Sequence, residues 1–358
     1  MSRGKVTAVI GGQIGSEGKG SIVNAIAPEY DVHVRVGSPN AGHTFYWHDQ
    51  KYVQQSIPCG WTNPFANIVI GRGALVNPDI LLCEIAHIEK FYPDFKTRLF
   101  IDSAAGVLDE HFADEEGRTE GDMHQRIGST GEGVGLARIA RLQRDPSKFR
   151  LFRDIADDLG LRQCCVNDTP MLIDKWNFMG HNVLLEGSQG SELSLIHGPW
   201  PYVTSVDTNA AQILAEVGIA PSKLTDVVLV CRTYPIRVAG NSGPLEHEIT
   251  WNELSTKLNR HVEERTTVTK KVRRIGEWDD ELFKRACLLN APTSIALTFA
   301  DYIDGDLYRC TNPDQIFASV KLTEFVRKTT SLWQYRVDFV GTGEDTVVDL
   351  RHDEGRLL

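Results

Sequence analysis

The sequence predicts an α/β fold: one large domain, residues 1–358, around a mainly parallel central sheet, with a P-loop-like first turn and peripheral insertions. Two observations carry this. Short, uninterrupted apolar runs recur along the chain with helix-period segments between several of them, the pattern of parallel strands buried on both faces. The first of these runs passes directly into a glycine-rich turn.

That first run is Val6–Ile10, followed by Gly11-Gly12-Gln13-Ile14-Gly15-Ser16-Glu17-Gly18-Lys19-Gly20-Ser21 and a helical pattern to Ala27. Strand, glycine-rich turn and helix start together present backbone N–H groups to phosphate, and Lys19 adds a point charge. A standard P-loop would need glycine at Gln13 and a hydroxyl at Gly20, so this loop is of another kind. Further strands are predicted at Val32–Val36, Ile68–Ile70, Leu99–Ile101, Val183–Leu185, Val227–Cys231 and Ile295–Phe299. Helices are predicted at Pro78–Phe91, Asp168–Met179, Thr208–Val217 and Asp279–Asn290. The acid- and glycine-rich stretch Asp109–Arg126 is expected to be a mobile surface loop.

Composition narrows the function classes. Hydrophobic content of 41% and charged content of 24% are those of an ordinary globular protein. A net charge of −10 argues against a general nucleic-acid binder. No apolar run approaches the ~20 residues a membrane span needs, and no signal-peptide core opens the chain. Seven scattered cysteines without a CxxC pair fit reduced thiols, and so a cytoplasmic protein. The vicinal Cys164-Cys165 fits buried small residues better than a redox pair.

Several segments cluster glycine, hydroxyl and charged residues. In Asn40-Ala41-Gly42-His43-Thr44, after the strand Val32–Val36, a histidine among small residues is placed to act as a general acid. A lone histidine is more often structural, but its neighbours weaken that alternative. Gly128-Ser129-Thr130-Gly131 suits a second anion such as a monophosphate, although alone it is no better than a flexible loop. Glu186-Gly187-Ser188-Gln189-Gly190 and Pro201-Tyr202-Val203-Thr204-Ser205 offer neutral donors and acceptors, residue types that also serve as turns and caps. Thr266 to Gly276 sets four cations beside hydroxyls, a carboxylate or phosphate site if it is not a solvated face. Asp301, after Ile295–Phe299, is paired in this reading with the turn Gly341-Thr342-Gly343; a lone aspartate there is commonly a helix cap. Together these imply two phosphorylated ligands and an additional anion.

The ordered set Gly15–Gly20, Asn40–Thr44, Gly128–Gly131, Glu186–Gly190, Pro201–Ser205, Arg237-Val238 and Arg273-Arg274-Ile275-Gly276 resembles the adenylosuccinate synthetase family over nearly the whole chain. The resemblance implies a two-step ligase. A nucleoside triphosphate with Mg²⁺ phosphorylates O6 of a 6-oxopurine nucleotide, and the amine of L-aspartate displaces that phosphate. It puts Ser16, Lys19, His43 and Gln189 at catalytic positions, with His43 the proton donor to the 6-oxygen. Ser16, Asn40, Ser129, Thr130, Gln189, Thr204, Val238 and Lys271 would hold the nucleotide monophosphate. Arg144 would reach it across a homodimer interface, with Arg141 as the other choice. Thr267, Val268, Thr269, Lys270, Lys271, Val272 and Arg273 match the aspartate loop, with Lys271 where the family has arginine. The triphosphate would take Gly15, Ser16, Glu17, Gly18, Lys19, Gly20, Gly42, His43, Thr44, Arg273, Asp301, Gly341, Thr342 and Gly343. The metal would take Ser16 and the Gly42 carbonyl.

Two departures from the family pattern carry most information. The family's loop reads Gly-Asp-Glu-Gly-Lys-Gly, and its aspartate takes the purine N1 proton; here that residue is Ser16, a poor base at neutral pH. Serine leaves room beside N1, where guanine carries its 2-amino group. This is similar to the bacteriophage branch of the family, which converts dGMP to 2-amino-2′-deoxyadenylosuccinate in the host cytoplasm, on the route to diaminopurine DNA. The alternatives are an IMP-using synthetase and an inactive nucleotide-binding regulator. Glu17, a water or the donor phosphate then becomes the expected base. The second departure is Phe299-Ala300-Asp301 in place of the family's Lys-x-Asp, which puts GTP in doubt and favours ATP or dATP.

Overall fold

A computed structural model describes residues 2–118, 127–266, 270–329 and 335–352. A ten-stranded sheet forms its centre. The strands are β1 (Val6–Gly11), β2 (Val32–Arg35), β3 (Asn67–Ile70), β4 (Leu99–Asp102), β5 (Cys165–Val166), β6 (Val183–Gly190), β7 (Asp226–Arg232), β8 (Ser294–Thr298), β9 (Arg336–Gly341) and β10 (Val347–Asp349). Their spatial order is β10-β9-β8-β7-β1-β6-β2-β3-β4-β5. Every pairing is parallel except β9 with β10 at one edge.

The short apolar runs form central strands because both faces are covered. Val6, Ala8 and Ile10 of β1 join one apolar cluster and Val9 the opposite one, the period-2 alternation of a strand between two cores. Predicted helices appear as Pro78–Ile88, Thr169–Phe178, Ala210–Val217 and Asp280–Asn290. Each starts at a side-chain cap: Asn77, Asp168, Asn209 and Asp279 accept from backbone N–H groups of the first turn.

One expectation is corrected, and two strands were missed. Part of the stretch expected to be a loop, Glu110–Arg118, is helical, its apolar Phe112 packed in a small separate core. The sequence also gave no sign of β9 and β10. Their charged members Arg336, Asp338 and Asp349 break the apolar run, and Asp338 is buried because Arg336 pairs with it.

Small sheets lie outside the centre. His43–Trp47 pairs antiparallel with Gln50–Gln54, so His43 opens a hairpin strand. Arg274–Gly276 lies between Ile236–Arg237 and Glu248–Ile249. All seven cysteines are free thiols. Among the described residues no helix is long and apolar enough to cross a membrane.

Candidate active site

The loops that leave the carboxyl ends of β1, β2, β6, β7 and β8 converge on one cavity of about 1120 Å³. That end of a parallel sheet is where doubly wound folds bind ligands. Gly15 to Gly20, Asn40, Gly42, His43, Thr44, Ser129, Thr130, Gln189, Thr204, Val238, Lys271, Arg273, Asp301, Gly341 and Gly343 all line it.

The loop after β1 is organised around a buried ion pair. Lys19 Nζ lies 2.7 Å from Glu17 Oε2 and also donates to the Gln189 carbonyl. Glu17 Oε1 accepts the backbone N–H groups of Gln13 and Gly15 at 3.1 and 2.8 Å. Both Glu17 oxygens are thus consumed inside the loop, which corrects its expected availability as a base. Gly18, at φ +92°, opens the helix Lys19–Ile26 with no side-chain cap, leaving that helix's first N–H groups for an anion.

Ser16 is exposed at the cavity with φ +59°. Its Oγ accepts from Arg273 Nη1 at 2.6 Å, and its carbonyl from Arg232 Nη1 at 3.1 Å. Aspartate visits this left-handed region more readily than serine does. Backbone preference therefore does not account for serine here.

His43 is held by Glu186, which heads a quoted motif but was given no role there, and through it by Arg35, which the sequence reading did not single out. Its Nδ1 is 2.5 Å from Glu186 Oε1, on β6. Glu186 also takes Arg35 Nη1 at 3.2 Å and the Cys59 N–H at 2.7 Å. Parallel pairing sets Arg35 of β2 directly beside Glu186. Burial works against ionising Glu186, but Arg35 and the His43 contact outweigh it and hold the carboxyl at about 2. Burial, aided by Arg35, lowers His43 to about 4. With Glu186 ionised, Nδ1 must carry the imidazole proton, so buried Nε2 is a bare acceptor without a partner among the described residues. The cluster His43, Cys59 and Glu186 has metal-ligand composition, but its carboxylate is already bonded to Arg35, His43 and the Cys59 amide.

Gln189, held at φ +59°, donates through Nε2 to Thr204 Oγ1 at 3.0 Å, joining two predicted segments. Ser129 Oγ is bonded to Glu116, whose other oxygen accepts from the Gly133 N–H at 2.5 Å. Arg260 is paired with buried Asp301 and its guanidinium lies 3.9 Å from the centre of the Tyr308 ring. Burial raises Asp301 to about 6, against the opposing pull of Arg260.

Some predicted residues lie elsewhere. Thr342 is fully buried, its hydroxyl donating to the Cys310 carbonyl. Val272 packs on a small core, and Lys270 is exposed outside the cavity lining. Arg144 is exposed at the end of the helix Val134–Gln143, outside its own chain's cavity, whereas Arg141 is tied to the Ala104 carbonyl at 3.1 Å. Thr267, Val268 and Thr269 fall outside the described residues. Arg35 and Glu186 had one sequence signal: each is a charge within or ending an otherwise apolar strand.

The family model of adenylosuccinate synthetase matches residues 8–160 and 146–311. The chain belongs to the adenylosuccinate synthetase family. It is therefore a C–N bond-forming ligase acting on a purine nucleotide, L-aspartate and a nucleoside triphosphate. Adenylosuccinate synthetases of Methanococcus maripaludis and Methanocaldococcus jannaschii are each 36% identical to it over 353 residues. These alignments cover 97% of the chain and 99% and 97% of those proteins. Among solved structures, the succinoaminodeoxyadenylate synthetase of cyanophage S-2L, bound to dGMP and to dATP as an energy donor, has a TM-score of 0.81. It is 28% identical, covering 97% of this chain and 95% of that one. The fully ligated adenylosuccinate synthetase of Plasmodium falciparum shares the fold at a TM-score of 0.85 and 21% identity, over 97% of this chain and 100% of that one.

Enzymes of this family generally use Mg²⁺. The Gly42 carbonyl and Ser16 hydroxyl are the hard oxygen donors that ion takes. Glu17 is committed to Lys19, so the ion's negative partners would be substrate phosphates.

Proposed function

We propose that this enzyme joins L-aspartate to C6 of dGMP, using ATP or dATP, to give 2-amino-2′-deoxyadenylosuccinate. The observation that carries the reading is Ser16, in the position where the family's aspartate faces purine N1. Its short side chain leaves space for a 2-amino group, and Arg273 holds its hydroxyl in place. The solved structure of the cyanophage protein with dGMP and dATP supports the same reading. The archaeal relatives, nearer in sequence, favour an IMP-using synthetase instead. The 2-amino reading is preferred on the chemistry of residue 16.

The mechanism follows from His43 and the loop after β1. Lys19, the open helix start and Arg273 neutralise charge on the transferring phosphoryl group. Mg²⁺, held through Gly42 and Ser16, would add Lewis-acid stabilisation there. His43, expected as the proton donor, has no proton on Nε2 at the outset, so in this reading it first takes the proton released from N1 as the 6-oxygen attacks the γ-phosphate and the diphosphate leaves. The imidazolium, stabilised by Glu186, then gives that proton to the departing 6-phosphate as the aspartate amine adds to C6 and expels it, the amine losing its own extra proton to water. Thr130, Gln189 and Thr204 hold the nucleotide monophosphate, and Lys271 and Arg273 the aspartate. Arg144 completes the nucleotide site from the partner subunit of a homodimer, as the family pattern implies.

The test crosses IMP, GMP and dGMP against ATP, dATP and GTP with L-aspartate, reading phosphate release and product mass. Aspartate-dependent turnover with dGMP is expected. Turnover with IMP alone would establish the IMP-using synthetase, and no turnover in any combination the inactive regulator.

A further inference from the structure

The family pattern left one cation unassigned. Arg260 lies outside every motif quoted above, yet both it and Asp301 line the cavity. One guanidinium nitrogen, Nη2, bonds Asp301 Oδ2. Asp301 Oδ1, and Nε and Nη1 of Arg260, are buried and without a partner among the described residues. Tyr308 stacks against the guanidinium and fixes its plane. Buried polar atoms of this kind are rare unless a ligand completes them.

We propose that Arg260 determines the donor base, setting the pocket for adenine and against guanine. This rests on the ligase reading above and deepens its choice of donor. Guanine offers N1–H and N2–H side by side, a pair of donors that needs both oxygens of one carboxylate. Arg260 already bonds Oδ2, so Oδ1 is the one carboxylate oxygen without a partner among the described residues. Adenine presents one donor, at N6, next to one acceptor, N1. The open Oδ1 and the unused guanidinium N–H groups supply one acceptor and one donor. Guanine's paired N–H groups would meet one open oxygen and one already bonded to Arg260, so they compete with that cation for Oδ2, a repulsive element that adenine does not face. Phe299, standing where the family has lysine, supplies no competing donor to a 6-oxygen. Asp301 is ionised above about pH 6, so its open oxygen is an acceptor under ordinary assay conditions.

The test is the ratio of kcat/KM for ATP over GTP at pH 7.5, with L-aspartate and whichever purine nucleotide turns over. The wild type is expected to favour ATP. Arg260→Ala should lower the ratio by about ten-fold or more, with the nucleotide monophosphate KM unchanged. Arg260→Lys, which keeps a donor, should recover part of it. A wild-type preference for GTP, or a ratio unmoved in Arg260→Ala, would overturn the proposal. Direct binding of ADP and GDP to the wild type needs neither turnover nor a folded variant. Tighter ADP is expected, and equal or tighter GDP would overturn the assignment. The ligase reading fails separately, as absence of any aspartate-dependent turnover.

Discussion

Replacing Glu186 by glutamine changes one buried charge while conserving shape. Glu186 is 1% exposed and meets Arg35, His43 and the Cys59 amide at once. Breaking a buried pair by removing one partner typically costs 3–5 kcal/mol. Arg35 keeps the Gln54 and Ala41 carbonyls as acceptors, so about 3 kcal/mol of stability is the expected loss. The larger effect is on chemistry. Without the carboxylate, the imidazolium that His43 must become has no counter-charge, and the proton on Nδ1 is no longer specified. A loss of about 10²–10⁴ in kcat follows, with the nucleotide KM little changed. Steady-state phosphate release at saturating aspartate gives kcat and KM, and thermal melting shows that the variant is folded. A folded Glu186→Gln enzyme within about three-fold of wild-type kcat would refute the role given to this carboxylate.

Three further outcomes are expected. A Cβ on Gly190 would lie 2.2 Å from Glu17 Oε1 and 2.4 Å from the Gln13 carbonyl, so Gly190→Ala should lose about 1–3 kcal/mol and most activity; an unchanged urea midpoint would contradict this. Burial depresses His33 to about 4 from an ordinary 6.5, so its neutral form stabilises the fold fully above pH 6.5. That contribution, about 3 kcal/mol, is lost as pH falls from 6.5 to 4, and urea melts of His33→Gln should show a shallower acid decline than wild type. If Arg144 serves the partner's site, Arg144→Ala and His43→Ala proteins, each nearly inactive, should regain activity when mixed and allowed to exchange subunits. No recovery in a confirmed mixed dimer would place Arg144 outside the site.

Much of this was legible because the fold repeats one simple unit. Buried parallel strands are continuous apolar runs, and glycine-rich turns mark where backbone approaches phosphate; so β1, β6, β7 and their loops stood out. β9 and β10 did not, since their charges are neutralised by tertiary neighbours such as Arg336 beside Asp338. The site residues were found as motifs, while the roles of their supports were not, Glu186 being quoted in a motif without one. Arg35 and Glu186 meet only through the registry of β2 against β6, and Arg260 reaches Asp301 from 41 positions away in sequence. Glu17, one of three candidates for the base in the sequence, is the internal partner of Lys19.

The most direct test of the central claim is the kcat/KM ratio of dGMP to IMP in the wild type and in Ser16→Asp, a substitution the φ of +59° accommodates. The account predicts a wild type that favours dGMP and a variant shifted toward IMP. A wild type that favours IMP, or a ratio that residue 16 leaves unchanged, would contradict it.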